Sequence, residues 1–275
     1  MLVKVFTMVK DEVDIIDDWV IYHGSMFGFS NIFVIDNFSS DGTYEKILEF
    51  KKVGVNVFRE PNYALKGEYM TNLINTHCHN NDIAYPIDID EFIVYYDRSS
   101  KNVWADKSVI TNYINQLPQN VPLFKTNYIQ AIPTNENGYS RATVECSTGI
   151  YNDYGTVAKS FIRKNLFHNT IDHGNHIQSN DYFLTDLCLV HFHSRNVDQI
   201  KKKIYNNVNG FGYPVNDLAA LKNLIENNPS LSGGHHVKNQ VVVLENQFKL
   251  NTIDKNDPNI IDISRLNQRI LEGYF

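Results

Sequence analysis

Apolar and polar positions recur with two different periods along the first hundred residues, and the switches between them divide the chain into strands and helices. Residues 2–9 read as an apolar strand, and residues 12–27 follow with Ile15, Ile16, Trp19 and Val20 at helical spacing. Residues 31–36 make a second buried strand. Asp41-Gly42-Thr43 then opens a helix that runs to residue 52 with Ile47, Leu48 and Phe50 turned inward. A short strand at 55–58, a helix at 66–79 and a fourth strand at 83–88 complete the alternation. Strands separated by helices need crossover connections. The pattern therefore predicts an α/β fold with a mainly parallel central sheet flanked by helices on both faces.

The second half is less regular. Helical patterns cover 106–117, 198–209, 217–227 and 262–272, and strand patterns cover 123–132, 155–163 and 187–193. Residues 237–250 are ambiguous, because Val241-Val242-Val243 favours a strand while the flanking spacing favours a helix. No repeat, low-complexity tract or linker interrupts the chain. The simplest organisation is one domain over 1–210 with a helical C-terminal extension, 211–275, packed on it.

Composition narrows the function classes. A 275-residue chain that is 43% apolar can bury one large core. A net charge of −6 argues against a general nucleic-acid binder. No apolar run approaches the roughly 18–20 residues of a membrane span, and Met1 to Phe6 read directly as the first strand, so a soluble, cytoplasmic protein without a transmembrane segment is expected. Cys78, Cys146 and Cys188 lie far apart with no paired spacing and read as reduced core thiols.

Ligands of parallel sheets collect at the carboxyl ends of the strands. Three acid-bearing segments fall there: Lys10-Asp11-Glu12, Asp36-Asn37 and Asp88-Ile89-Asp90. Residues i and i+2 at an extended strand end point the same way, so Asp88 and Asp90 can converge on one hard cation. A cation held by few protein oxygens takes its remaining ligands from elsewhere, commonly from substrate phosphates. Other polar positions have plainer readings. Ser40 and Asp41 suit a helix cap, Trp19, Tyr22 and His23 suit packing, and Lys201-Lys202-Lys203 suits a solvated helix face. His77 and His79 read as surface residues, and His173-Gly174-Asn175-His176 suits acceptor binding or loop structure better than a metal site.

Taken in order, Lys10-Asp11-Glu12, Trp19-Val20-Ile21-Tyr22-His23 with Gly28, Ile35-Asp36-Asn37-Phe38-Ser39-Ser40-Asp41-Gly42 and Asp88-Ile89-Asp90-Glu91-Phe92 resemble the N-terminal signature of GT-A-fold glycosyltransferases. The resemblance is closest to the glycosyltransferase 2-like and family 92-type group and covers residues 2–97. Asp11 stands where that group usually has Asn. Farther on, Lys159-Ser160-Phe161-Ile162-Arg163 and Val190-His191-Phe192-His193-Ser194-Arg195 resemble later segments of the group more loosely.

The resemblance implies a GT-A (nucleotide-diphospho-sugar transferase) fold, with a nucleotide-sugar half at about 1–97 and an acceptor half at about 98–210. It implies a Mn²⁺- or Mg²⁺-dependent transferase. The donor would be a nucleoside diphosphate sugar, most simply a UDP-sugar, and the acceptor a glycan or other hydroxyl-bearing molecule, with inversion as the expected outcome. Asp88 and Asp90 would hold the metal with His191, or with His193 in its place. Thr7, Val9, Glu12 and Asp36 would form the nucleotide pocket, Asp88 would contribute to it, and Lys159, Arg163 or Arg195 would face phosphate. An inverting enzyme needs a carboxylate base at the acceptor hydroxyl, and Asp172, Asp181 and Glu145 are the candidates in that order.

Two alternatives remain open: a metal-dependent sugar-phosphate or nucleotidyl transferase or hydrolase, and a catalytically inactive GT-A domain that binds sugar nucleotides. The first is disfavoured in two ways. Haloacid dehalogenase-type phosphatases carry Thr or Val where this chain has Phe92, and nucleotidyltransferases need a glycine-rich loop that residues 8–14 lack. The intact acid pair weighs against the second.

Overall fold

The computed structural model describes residues 1–132, 138–153, 158–166, 170–177, 179–210, 212–213, 217–230, 234, 237–238, 241 and 257–273. Most of the ambiguous 237–250 segment, and the start of the strand expected from 155, lie outside these residues. The first half follows its apolar pattern closely. Strands β1 (Val3–Val9), β2 (Ile32–Asp36), β3 (Asn56–Arg59) and β4 (Ile83–Pro86) run parallel in the order β3-β2-β1-β4. They are joined through helices α1 (Ile16–Phe27), α2 (Thr43–Lys51) and α3 (Lys66–His77).

Beyond β4 the architecture departs from a mainly parallel sheet. The later elements are β5 (Glu91–Asp97), β6 (Asn102–Trp104), α4 (Lys107–Gln116), β7 (Leu123–Ala131), α5 (Ala142–Glu145), β8 (Thr148–Asn152), β9 (Lys159–Arg163) and β10 (Phe183–His191). They continue the same sheet in the order β9-β7-β10-β5-β6. Only β7 and β10 pair parallel there, while β4–β9, β7–β9, β5–β10 and β5–β6 are antiparallel. The cause is connection length. Residues 87–90 lead directly from β4 into β5, and residues 98–101 turn β5 back into β6, too few for a helical crossover. The result is a mixed α/β fold with a central sheet flanked by helices.

The chain ends with α6 (Val197–Gly210), α7 (Leu218–Asn227), β11 (Ile260–Asp262) and α8 (Ser264–Glu272). The C-terminal stretch thus adds a strand, β11 paired with β8, to the helices expected there. Asn267 of α8 donates its amide to the Cys146 carbonyl at 2.9 Å. Cys78, Cys146 and Cys188 are free and buried. Among the described residues no helix is long and apolar enough to cross a membrane.

Strand alternation assigns each side chain of β1 to a face. Val5 and Val9 join the larger apolar cluster with α1, whereas Phe6 and Met8 join the one under α3. Trp19, Tyr22 and His23 lie on one side of α1 at i, i+3 and i+4, and each is fully or almost fully buried. The Trp19 indole N–H donates to the Glu91 carbonyl at 3.0 Å, and the Tyr22 hydroxyl donates to the Ile93 carbonyl at 2.6 Å. His23 Nε2 accepts the Ile93 amide at 3.4 Å, so Nδ1 carries the proton and donates to the Trp19 carbonyl at 2.9 Å. Burial drives the His23 pKa down to about 3, which keeps the ring neutral in that role. The Trp-Tyr-His motif is therefore a clamp. It fixes the backbone of β5 immediately after the acid pair.

Candidate functional site

A cavity of about 700 Å³, within the range of small-molecule sites, opens at the carboxyl ends of β1 and β4. Its wall includes Lys10, Asp11 and Glu12 after β1, Asn37 after β2, and residues 88–91 after β4. The end of β10 adds His191 and His193. Asp11 adopts φ 55°, a left-handed conformation that Asn and Asp tolerate best. Its carboxylate takes the Ser40 amide at 2.7 Å while its own amide donates to Ser39 Oγ at 2.9 Å.

The Asp88-Ile89-Asp90 segment is a turn, and the two carboxylates take different partners. The Asp88 amide donates to Glu91 Oε2 at 2.7 Å and the Glu91 amide donates to the Asp88 carbonyl at 3.1 Å. This reciprocal pair ends the extended conformation, so the shared strand face expected for Asp88 and Asp90 does not form. Asp88 Oδ1 accepts Lys66 Nζ at 2.6 Å and Asn175 Nδ2 at 3.0 Å, and Oδ2 accepts Lys159 Nζ at 2.6 Å. Burial alone would raise the Asp88 pKa, but the charges of Lys159 and Lys66 outweigh it and hold the group far below the usual carboxylate range. Lys159 also reaches Glu91 Oε1 at 3.0 Å. Burial favours its neutral form, yet the two carboxylates hold its pKa well above the ordinary lysine value.

Asp90 belongs to a different group. It is 2% exposed, and its Oδ2 lies 3.4 Å from His191 Nε2 and accepts Lys203 Nζ. The Phe192 amide donates to the Asp90 carbonyl at 2.8 Å, which seats the end of β10 against the turn. His191 and His193, two residues apart, both present ring nitrogens to Asp90, and one ligand atom from each of the three residues lies within 4.8 Å of the others. Burial pushes the His193 pKa well below its ordinary value, leaving the lone pair that a metal needs. The donor set fits a divalent ion. One carboxylate and two imidazoles suit a first-row transition ion such as Mn²⁺ better than Mg²⁺, which favours an all-oxygen shell.

The sequence-derived candidates divide accordingly. Glu12, Asp88, Asp90, Lys159, His191 and His193 line the cavity. Asp88 stands outside the three-residue group, and His191 and His193 enter it together rather than as alternatives. Thr7 and Val9 do not line the cavity, whereas Met8, one position out of phase on β1, and Lys10, just past its end, do. Asp36 is fully buried, holding the Ser39 amide at 3.0 Å and Arg59 Nε at 2.8 Å, and Asn37 takes its place in the wall.

The two arginines are structural. Arg195 bonds Glu12 and reaches Asp14 at 2.7 Å, tying the end of β10 to the β1–α1 loop. Its partner Glu12 has its pKa raised by burial, against the pull of Arg195. Arg163 pairs across the sheet with Ile83, at the start of β4, and so lies at the far end of the sheet from Asp88. Of the candidate bases, Asp172 is exposed but belongs to the loop whose His173, Gly174 and His176 line the cavity. Asp181 precedes β10 at the end opposite His191, and Glu145 is exposed beside Ser140 and Arg141, so both lie away from the cavity.

Two site residues escaped sequence reasoning. Lys66 opens α3 with no local signal to mark it. Lys203 read as a solvated residue but contacts Asp90, and Lys202 contacts Asp41. The signal was present in the helical spacing of Gln199, Lys203 and Asn206, which share one side of α6 opposite its apolar stripe, and all three line the cavity. The loop at 170–177 is built against α3: the Ile171 amide donates to Thr71 Oγ1 at 3.1 Å, and a Cβ on Gly67 would stand 2.3 Å from the Ile171 carbonyl oxygen. That approach delivers Asn175 to Asp88.

No family model matches the chain, and no curated protein matches it. Solved structures do resemble it. Residues 1–349 of S. aureus TarS give a TM-score of 0.42 at 11% identity, covering 100% of this chain and 89% of that one. Glucosyl-3-phosphoglycerate synthase from Mycobacterium tuberculosis, in complex with Mn²⁺, UDP and glucosyl-3-phosphoglycerate, gives 0.39 at 12% identity, covering 78% and 81%. A mycobacterial protein gives 0.43 at 14% identity, covering 78% and 76%. Scores at this level do not establish a shared fold, so the chain's own residues carry the functional reading.

Proposed function

We propose that this protein is a GT-A-type glycosyltransferase of the glycosyltransferase 2-like and family 92-type group. It would move a sugar from a nucleoside diphosphate sugar, most simply a UDP-sugar, to a hydroxyl acceptor with the help of Mn²⁺. The observation that carries the reading is the convergence of three separated motifs on one cavity: Lys10-Asp11-Glu12, Asn37 and the Asp88–Asp90 turn meet the Asp90-His191-His193 group there. Such a cavity at the carboxyl ends of parallel strands is where an α/β sheet binds nucleotides.

Asp90, His191 and His193 would hold the ion, and Asp88, kept ionised by Lys66 and Lys159, would set the polar floor beside them. When bound, a divalent ion supplies a Lewis acid to the departing diphosphate. Lys10, Asp11 and Asn37 would contact the nucleoside end, on the β1–β2 side of the cavity. The 170–177 loop would contact the acceptor, with Asp172 taking the proton of its hydroxyl in an inverting transfer. Under this reading residues 1–97 form the donor half and 98–210 the acceptor half.

The test is a screen of nucleotide sugars for Mn²⁺-dependent release of nucleoside diphosphate by wild-type protein and by Asp90→Asn. Release by the wild type that is lost in the variant is the expected outcome. Release that persists in EDTA, or equal release by both proteins, would overturn the assignment.

A further inference from the structure

Helix α6 belongs to a small apolar cluster of its own. Ile200, Ile204 and Val208 pack with Leu221 and Ile225 of α7 and with Val237, apart from the two clusters that cover the sheet. Gln199, Lys203 and Asn206 on its other side line the cavity, with Val208 and Val237 at its margin, and the side-chain bonds that join that side to the strand-end loops are polar. Lys202 bonds Asp41, Lys203 bonds Asp90, and Asn206 Nδ2 donates to Asp11 Oδ2 at 3.1 Å. The Lys202 and Asn206 contacts are partly exposed and are readily exchanged for water, so the more deeply buried Lys203–Asp90 pair is the contact that holds α6 to the cavity mouth.

Among these contacts Lys203 is placed unusually. Its ammonium sits on Asp90 Oδ2, the oxygen that faces His191 Nε2 at 3.4 Å, and lies 3.3 Å from His193 Nδ1. It therefore stands inside the only group of three metal-competent side chains among the described residues. A buried carboxylate needs a cation, and the Lys203 ammonium is the largest charge that favours ionised Asp90, with His191 beside it. A divalent ion held by Asp90 and the two imidazoles would be a second cation beside the ammonium, and the two would repel each other.

We propose that Lys203 is a built-in counter-cation of Asp90 which a divalent ion must displace, so that binding the ion unlatches α6 from the cavity. The inference rests on reading Asp90, His191 and His193 as the ion site. It makes apparent metal affinity a property of α6 as well as of the ligands. It also couples metal loading to opening of the cavity that the donor enters.

The experiment is Mn²⁺ titration of metal-stripped protein, followed by electron paramagnetic resonance of the free ion, for wild type, Lys203→Met and Lys203→Arg. Amide exchange of residues 197–210 in the wild type, with and without Mn²⁺, is measured alongside. Lys203→Met is expected to bind Mn²⁺ about tenfold more tightly or better, because its Asp90 keeps His191 but loses the ammonium that competes with the ion. Lys203→Arg should stay near the wild type, and Mn²⁺ should speed exchange in 197–210. Wild-type binding with equal or weaker affinity in Lys203→Met would overturn the displacement while leaving the ion site standing. Unchanged exchange in the wild type would overturn the unlatching, and it does so even if Lys203→Met fails to fold. Absence of Mn²⁺ binding in wild type and Lys203→Arg alike would remove the ion site itself, and the inference with it.

Discussion

Replacing Lys159 by Met withdraws one ammonium from two carboxylates, Asp88 Oδ2 at 2.6 Å and Glu91 Oε1 at 3.0 Å. The Lys159 and Glu91 side chains are 3% and 1% exposed, so water screens their pair little. At that separation, with an effective dielectric of about 20, the attraction is roughly 5 kcal/mol before desolvation is counted. Removing one partner of such a buried pair costs about 3–5 kcal/mol, because the other charge stays behind. Glu91→Gln is milder. Lys159 keeps Asp88, but the one side-chain oxygen of Gln cannot serve both the Asp88 amide and Lys159, so a loss of about 1–3 kcal/mol is expected. The double variant should lose less than the sum of the two, with a coupling of about 1–3 kcal/mol. Urea unfolding followed by tryptophan fluorescence reads this directly, since the fully buried Trp19 donates to the Glu91 carbonyl. A loss below about 1 kcal/mol for Lys159→Met, or additive single variants, would show a screened pair instead of a buried, coupled one.

Other consequences are equally open to measurement. Arg163→Met should lower stability by about 1–3 kcal/mol in urea titrations, through loss of its buried contacts, while leaving Mn²⁺ and nucleotide affinity unchanged, because Arg163 lies at the far end of the sheet. In Gly67→Ala the steric conflict with the Ile171 carbonyl should outweigh the gain in helix propensity, for a net loss of about 1–3 kcal/mol by thermal or urea unfolding. Because the folded His23 pKa of about 3 lies below the ordinary 6.5, the unfolded chain binds a proton there first. His23 therefore contributes stability that is full above pH 6.5 and lost as pH falls from 6.5 toward 3, with a slope of up to about 1.4 kcal/mol per unit. Urea titrations at several pH values should show this slope, and His23→Gln should flatten it.

The parallel half of the fold was legible because each element repeats one simple period. Residues 3–9, 32–36 and 83–86 are strands where the apolar runs place them, and the intervening helices carry their apolar residues at helical spacing. The antiparallel half was harder to read. Glu91-Phe92-Ile93-Val94-Tyr95-Tyr96 is an interior strand following a four-residue turn, and an apolar run so close to β4 gives no sign that the chain has reversed. At the site, position was legible but orientation was not. Asp88 and Asp90 were placed at the right strand end, yet the reciprocal bonds between Asp88 and Glu91 decide which way each carboxylate faces, and they depend on a turn geometry no spacing rule contains. Thr7 and Val9 against Met8 and Lys10 is the same lesson at one residue's resolution: a strand shows its face only relative to what packs on it. Lys66 and Lys203 come from helices far away in sequence, and long-range ion pairs leave no local trace.

If Asp90, His191 and His193 hold a divalent ion, nucleoside diphosphate binding in this cavity must depend on that ion. Isothermal titration of UDP into wild-type protein and Asp90→Asn, each with Mn²⁺ and with EDTA, tests it most directly. UDP should bind the wild type only with Mn²⁺ present, and binding should weaken at least about tenfold, the equivalent of about 1.4 kcal/mol, in Asp90→Asn. UDP binding of equal strength in EDTA, or undiminished binding by Asp90→Asn, would contradict that dependence.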